Sequence, residues 1–218
     1  MKYKDGLLFA ADSSISYGSM MKIKNAKRMC AVGEETILAC SGEMSDFQNL
    51  QKELDKKNEA DVIEGDGATF LHAKDYFNWV ARMQYNKRMK SDPIWVTSVI
   101  GGINPRTKEV FLGSSDFHGL ALEQDYVITG LGNAYCQVLF ANRWRADMSR
   151  EEAVTLIEDC MRVMFFRDKK AHDQIMISTI THEHGVQLGE FYRIEASSDY
   201  KSYHEQTNEF YRPMRIRY

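Results

Sequence analysis

Ile94-Trp95-Val96-Thr97-Ser98-Val99-Ile100 (IWVTSVI, 94–100) decides the architecture. It is β-branched and apolar on both of its faces, which is the composition of a strand covered on two sides rather than one. Pro93 stands immediately before it and ends whatever helix precedes. Downstream, Asn104-Pro105-Arg106-Thr107 is turn chemistry, and Val110-Phe111-Leu112 returns as the hairpin partner.

Working outward, Phe70, Ala73, Phe77, Val80 and Ala81 recur at helical spacing, predicting a helix from about Thr69 to Met89. Phe47, Leu50 and Leu54 predict an earlier one, with a polar connection from Asp55 to Gly67. Two short apolar runs come first. Leu7 to Ala11 stops at Asp12-Ser13-Ser14, and ETILACS (35–41) stops at Gly42, each reading as a buried strand that ends in a turn. Beyond the central hairpin, Tyr126-Val127-Ile128 reads as a short strand leading through Gly130-Leu131-Gly132-Asn133 into a helix over about Ala134 to Arg143. Ser149 and Glu152 form a capping-box pair. Behind them Ala153, Val154, Ile157, Cys160, Met161, Met164 and Phe165 keep a helical rhythm. Gln174 to Ile180 and Val186 to Tyr192 predict a closing hairpin around His182-Glu183-His184-Gly185. Helix pairs bracketing doubly buried strands make a layered α/β sandwich with helices outside. One domain is expected over 1–196, followed by an extension over 197–218.

Composition narrows the function classes. The chain has 218 residues, 44% hydrophobic and 27% charged, enough apolar material for one sizeable core. Its formal net charge of −3 advertises no nucleic-acid partner, and no stretch approaches a membrane span. The first residues lack the long apolar core of a signal peptide, so secretion is not expected. Cys30, Cys40, Cys136 and Cys160 sit among apolar neighbours without a CxxC, as reduced cysteines of a cytosolic or nuclear protein do.

The short motifs carry little chemistry. His182 and His184 lack an evident third metal ligand. Gly65-Asp66-Gly67 and Gly101-Gly102 lack the residues of a phosphate loop, and there is no GxSxG. Lys22, Lys24, Lys27 and Arg28 cluster, but a solvated strand face explains them better than nucleic acid in an acidic chain. No cofactor and no metal is expected. The segment 197–218 stands apart: Tyr200, Tyr203, Phe210, Tyr211 and Tyr218 interleave with Arg212 and other charges. Such a composition suits a protein interface, or a terminus packed on its own domain.

One ordering has meaning as a set: Ala10-Ala11-Asp12-Ser13, Ser16-Tyr17-Gly18-Ser19, Lys27-Arg28, then Cys40-Ser41-Gly42. With SYGSMMKIKNAKRM (16–29), YNKRMKSDPIWVTSVIGG (85–102), FLGSSDFHG (111–119) and CMRVMFFRDKKAHDQ (160–174), it resembles the proteasome beta-subunit family of N-terminal-nucleophile hydrolases, its non-catalytic members above all. The resemblance runs in one register from about residue 2 to 195. It implies an α/β (α+β) fold, a four-layer αββα sandwich.

The resemblance also implies a site. Catalytic members use a mature N-terminal threonine whose own amine is the base. By the family pattern that residue would precede Met1, and the first threonine of this sequence is Thr36. The family's aspartate falls on Asp12, its lysine on Arg28, its oxyanion glycine on Gly42, its two supporting serines on Leu131 and Ala171, and the aspartate between them on Asp168. Arginine differs from lysine in shape and stays fully charged, and Leu and Ala neither relay a proton nor hold a water. The expectation is a non-catalytic subunit. Its implied partners are other proteasome alpha and beta subunits in a 28-subunit hetero-oligomer, with assembly chaperones and regulatory caps. No nucleic acid and no membrane are expected, and the implied location is cytoplasm and nucleus. The extension would reach the opposite beta ring. Two other readings stand beside this one: an active threonine protease whose propeptide and nucleophile lie outside this sequence, and a free-standing hydrolase or binding module on the same fold.

Overall fold

Alternation along three strands organises the molecule. Leu7 and Phe9 point to one side of their strand and Leu8 to the other; Ile37 and Leu38 divide likewise, as do Val99 and Ile100. All six are buried. Each strand therefore feeds two apolar clusters at once, as the doubly apolar run at 94–100 predicts.

The computed structural model describes residues 1–18, 20–64 and 70–195. In chain order the elements are β1 (Lys2–Tyr3), β2 (Gly6–Asp12), β3 (Ile15–Tyr17), β4 (Met20–Ile23), β5 (Met29–Val32), β6 (Thr36–Gly42), α1 (Met44–Glu64), α2 (Ala73–Met89), β7 (Val96–Ile103), β8 (Val110–Ser115), β9 (Ala121–Glu123), α3 (Gly132–Arg143), α4 (Arg150–Arg167), β10 (Gln174–Thr181), β11 (Gly185–Gln187) and β12 (Phe191–Arg193). The class is α+β with antiparallel sheets. One sheet runs β1-β2-β10-β11, with β12 also on β10, and the other runs β5-β6-β7-β8-β9; β3 and β4 pair separately. β2 lies along β10 from Gly6↔Thr181 to Asp12↔Ile175, and β6 along β7 from Thr36↔Gly102 to Gly42↔Val96.

Three apolar clusters hold these parts. Phe47, Leu50 and Leu54 of α1 and Tyr76, Phe77 and Val80 of α2 pack on Leu38, Ile100 and Phe111 of the second sheet. Leu8 of the first sheet packs with Phe140 of α3 and Leu156 and Ile157 of α4. Leu7, Phe9, Met176 and Ile180 of the first sheet meet Ile37, Val99 and Leu112 of the second. Gly101 and Gly102 of β7 allow a close approach on both faces of the strand. A Cβ at Gly101 would lie 2.8 Å from Phe9 and 2.9 Å from Leu7, and one at Gly102 would lie 2.6 Å from the Cβ of Ala73 in α2.

Several elements depart from the sequence reading. The polar stretch expected as a connection from Asp55 is helix to Glu64. No Gly or Pro interrupts 44–64, and Lys56 pairs with Glu53 at 2.8 Å across one turn. α2 begins at Ala73 rather than near 69, because Asp75 Oδ2 accepts the His72 amide at 3.0 Å and closes the first turn there. Tyr126 to Ile128 is not a strand. The Asp125 carbonyl accepts the Lys2 amide (2.8 Å), and Tyr126 stacks on Phe140 and Trp144 at 5.2 and 5.4 Å, so side-chain packing rather than a ladder fixes the segment. Within the closing hairpin the returning strand is broken into β11 and β12. Between them Gly189 N donates to Ser178 Oγ (3.2 Å), and a Cβ there would strike the Ile177 carbonyl at 1.9 Å. The strands β1, β3, β4, β5 and β9 are two to four residues long, too short to leave a periodic signal.

Candidate functional site

β2, β6, α3 and α4 all end at one cavity of about 400 Å³. Asp12 closes β2, Gly42 closes β6, Leu131 precedes the first turn of α3, Asp168 follows the last turn of α4, and Arg28 and Ala171 lie just before β5 and β10. All six line the same space. Residues spread from 12 to 171 in sequence are thus gathered by the register of β2 on β10 and of β6 on β7.

Asp12 is the electrostatic centre. Its Oδ1 lies 3.5 Å from Arg28 Nη1, and its Oδ2 accepts the His172 amide at 3.3 Å. Ser14 Oγ lies 2.5 Å from Asp12 Oδ2 and 2.8 Å from the Lys170 carbonyl; its one proton serves one of them at a time. Arg28 Nη2 donates to the Ser14 carbonyl. The guanidinium is therefore engaged on two sides, by a carboxylate and by the backbone that carries it. Arg28 turns inward while Lys24 and Lys27 are exposed, so only part of the basic cluster forms a solvated face.

The remaining wall residues offer shape more than chemistry. Gly42 has φ 119° and a Cβ there would lie 2.2 Å from the Trp95 carbonyl, so the position is restricted to glycine by conformation and by space. Asp168 Oδ1 accepts the Lys170 amide at 3.0 Å and the Asp168 carbonyl accepts the Ala171 amide at 3.0 Å, which shapes the loop leading to β10. Leu131 is half exposed. Cys40 also lines the cavity; burial pushes its thiol up to about 12 although the nearby Arg28 acts in the opposite sense. It is held as a protonated thiol at neutral pH.

Sequence reasoning missed Ser14 and His172, which brace this wall. Ser13 Oγ is 3.4 Å from His172 Nδ1, and Asp173 Oδ1 is 3.2 Å from that same nitrogen. A serine–histidine–acid relay needs the serine and the acid on opposite ring nitrogens. Here both meet Nδ1, which also accepts the Gln174 amide at 3.0 Å. The trio is a structural brace. Its signal in the sequence was proximity: Ser14 follows Asp12 by two residues, and His172 lies inside the run 160–174.

Other sequence candidates lie elsewhere. His182 and His184 flank the turn into β11, with His184 exposed and 3.8 Å from Glu183. Among the described residues no three His, Cys, Asp or Glu side chains are grouped to hold a metal. Gly101 and Gly102 sit within β7, not in a loop. Gly65 to Gly67 and the aromatic extension, with Tyr200, Tyr203, Phe210, Tyr211, Arg212 and Tyr218, lie outside the described residues. No helix of the described residues is long and apolar enough to cross a membrane.

Comparison with known proteins places this geometry among relatives. The family model described as "Proteasome subunit" matches residues 1–180. A proteasome subunit beta type-4 of Arabidopsis thaliana is 38% identical over 207 residues, covering 95% of this chain and 82% of that protein. The Xenopus laevis beta type-4 subunit is 36% identical over 190 residues, 86% of this chain and 77% of its own. A probable proteasome subunit beta type-7 of Schizosaccharomyces pombe is 30% identical over 188 residues, 84% and 71% of the two chains.

Proposed function

This chain belongs to the proteasome subunit family, and we propose that within it the chain is a non-catalytic structural beta subunit of the 20S core, at the beta-seven (beta type-4) position. The observation that carries this reading is the engagement of Arg28. In the family's catalytic pattern this position is a lysine that polarises the nucleophile. Here the guanidinium faces Asp12 and donates to the Ser14 carbonyl, so its charge is already directed at the wall. Leu131 and Ala171, in the places of the supporting serines, supply no hydroxyl. Proton transfer at an N-terminal threonine needs those groups, and this wall does not provide them.

The apolar clusters support a four-layer αββα sandwich: α1 and α2 on the second sheet, the two sheets on each other, α3 and α4 on the first. In such a subunit the function is assembly with other proteasome alpha and beta subunits, in a 28-subunit particle that meets assembly chaperones and regulatory caps in cytoplasm and nucleus. Residues 1–196 form the ring-building domain and 197–218 an arm toward the opposite beta ring. The composition of the arm, aromatics with arginine, supports that role.

The decisive experiment is labelling of the purified particle with a peptide epoxyketone, read by mass spectrometry of each subunit. The expected result is adducts on sister subunits and none on this chain. An adduct on this chain refutes the non-catalytic reading in favour of the active-protease alternative. Truncation at Ser197 is expected to leave half-particles accumulating on a native gel; full particles at the parent level refute the role of the arm.

A further inference from the structure

Two of the four cysteines meet. Cys136 on α3 and Cys160 on α4 are 3% and 5% exposed, and α3 packs directly on α4. Cys136 Sγ lies 3.5 Å from the Cys160 carbonyl oxygen, so one thiol rests against the backbone that carries the other. Each thiol also lies close enough to act on the ionisation of the other. Both line the 400 Å³ cavity. A solute as small as hydrogen peroxide that enters this cavity meets both cysteines on one wall.

We propose that Cys136 and Cys160 form a redox modification site: a dithiol that hydrogen peroxide entering the cavity oxidises to an α3–α4 disulfide. In the first step the Cys136 thiolate attacks the O–O bond. A sulfenic acid forms on Cys136, and the hydroxide released takes a proton and leaves as water. In the second step the Cys160 thiol, giving up its proton, attacks the sulfenic sulfur; the S–O bond breaks, a second water leaves and the S–S bond forms. Two thiols lose two electrons in all, and one hydrogen peroxide gains them.

The order of the steps follows from the environment. Cys160 is held well above the ordinary thiol range, by its interaction with Cys136 first and by burial second. Cys136 is held below that range by the same interaction, against the effect of burial, which favours it as the thiol that ionises first. Cys40 lines the cavity too, but with its thiol pushed up to about 12 by burial it stays protonated and is not the thiol that attacks first. The dithiol spans 24 residues of sequence, so its closure ties two separate helices at the cavity wall.

The test uses the full chain in the purified particle. Trypsin leaves Cys136 in the peptide 109–143, Cys160 in 151–162, and Cys30 and Cys40 together in 29–52. After hydrogen peroxide treatment and denaturing alkylation, peptides 109–143 and 151–162 are expected to lose alkylation in equal amount. They should appear as one cross-linked product, two hydrogens lighter than their sum, that dithiothreitol restores. Peptide 29–52 should remain fully alkylated. Phenylarsine oxide, which bridges two adjacent thiols, is expected to protect the same pair. In a Cys160→Ser particle, Cys136 should instead accumulate as a sulfenic acid captured by dimedone. Full alkylation of both peptides at peroxide levels that oxidise a control dithiol overturns the proposal. So does loss at only one of the two, or a cross-link to Cys40.

Discussion

Removing the Asp12 carboxylate tests the architecture of the cavity wall directly. In Asp12→Ala, three donors lose an acceptor at once: Ser14 Oγ at 2.5 Å, the His172 amide at 3.3 Å and Arg28 Nη1 at 3.5 Å. Hydrogen bonds to a charged acceptor contribute about 1.5–3 kcal/mol each. Two of these contacts are long, and the Asp12 and Arg28 side chains are 19% and 26% exposed, so solvent screens the ion pair and the low end applies. The short Ser14 contact contributes about 1.5 kcal/mol and the two long ones about half of that each, about 3 kcal/mol together. The loss falls on the strand end 12–14 and the loop 170–172, not on the whole fold. Local opening of those segments should become about 150-fold more frequent. Asp12→Asn keeps the shape and one acceptor oxygen but loses the charge; about 1.5 kcal/mol, or roughly tenfold, is expected. Hydrogen exchange by mass spectrometry on the purified particle reads both, with the peptide over α2 as an internal control that should not change. If Asp12→Ala exchanges within twofold of the parent at 168–174, Asp12 does not organise this wall and the reasoning fails. A uniform acceleration that includes α2 would equally refute a local role.

Two further predictions rest on separate features. At the start of α4, Ser149 Oγ accepts the Glu152 amide at 3.3 Å and Glu152 Oε2 accepts the Ser149 amide at 3.0 Å; Ser149→Ala should cost about 1 kcal/mol and speed exchange of the first turn about fivefold. At the turn 116–120, burial acts to raise the Asp116 carboxyl, but hydrogen bonds from the His118 ring and from the Leu120 and His118 amides outweigh it and hold the carboxyl below its ordinary range. A carboxyl lowered on folding stabilises above its unfolded value and loses that contribution as pH falls through the folded one. Exchange protection at 116–120 should therefore persist down to about pH 4 and decline in more acid solution, whereas an Asp116→Asn chain should show no such decline.

The long elements were legible because each carries its own periodic signal. IWVTSVI, the run 7–11 and the rhythm behind Ser149 needed no context: Leu7, Ile100 and Ile157 are buried where the pattern puts them. The end of α1 was not legible, because residues 55–64 lie on a helix with little apolar periodicity and only Leu54 marks its last buried turn. Tyr126 to Ile128 misled for the opposite reason. Their composition suits a strand, yet the partner they find is the aromatic face of Phe140 and Trp144. At the cavity, the six positions carried over from the family pattern could be named from sequence since motifs fix register. What motifs leave out is what those residues touch. Neither the engagement of Arg28 by the Ser14 carbonyl nor the meeting of Cys136 with Cys160 has any trace in linear spacing.

Gly101 and Gly102 bear on how such a body behaves among neighbours. Adjacent peptides of one strand touch Phe9 and Leu7 on one side and Ala73 at the head of α2 on the other. Neither glycine adds a side chain of its own, so the strand backbone lies directly against the Phe9 ring and the Leu7 tip. A push on the start of α2 is therefore delivered across a single pair of residues to the Phe9 and Leu7 side chains of the opposite sheet, as expected of a close-packed interior of low compressibility. At that point the subunit behaves as a rigid strut. These two residues fix the spacing between the head of α2 and the first sheet at that point.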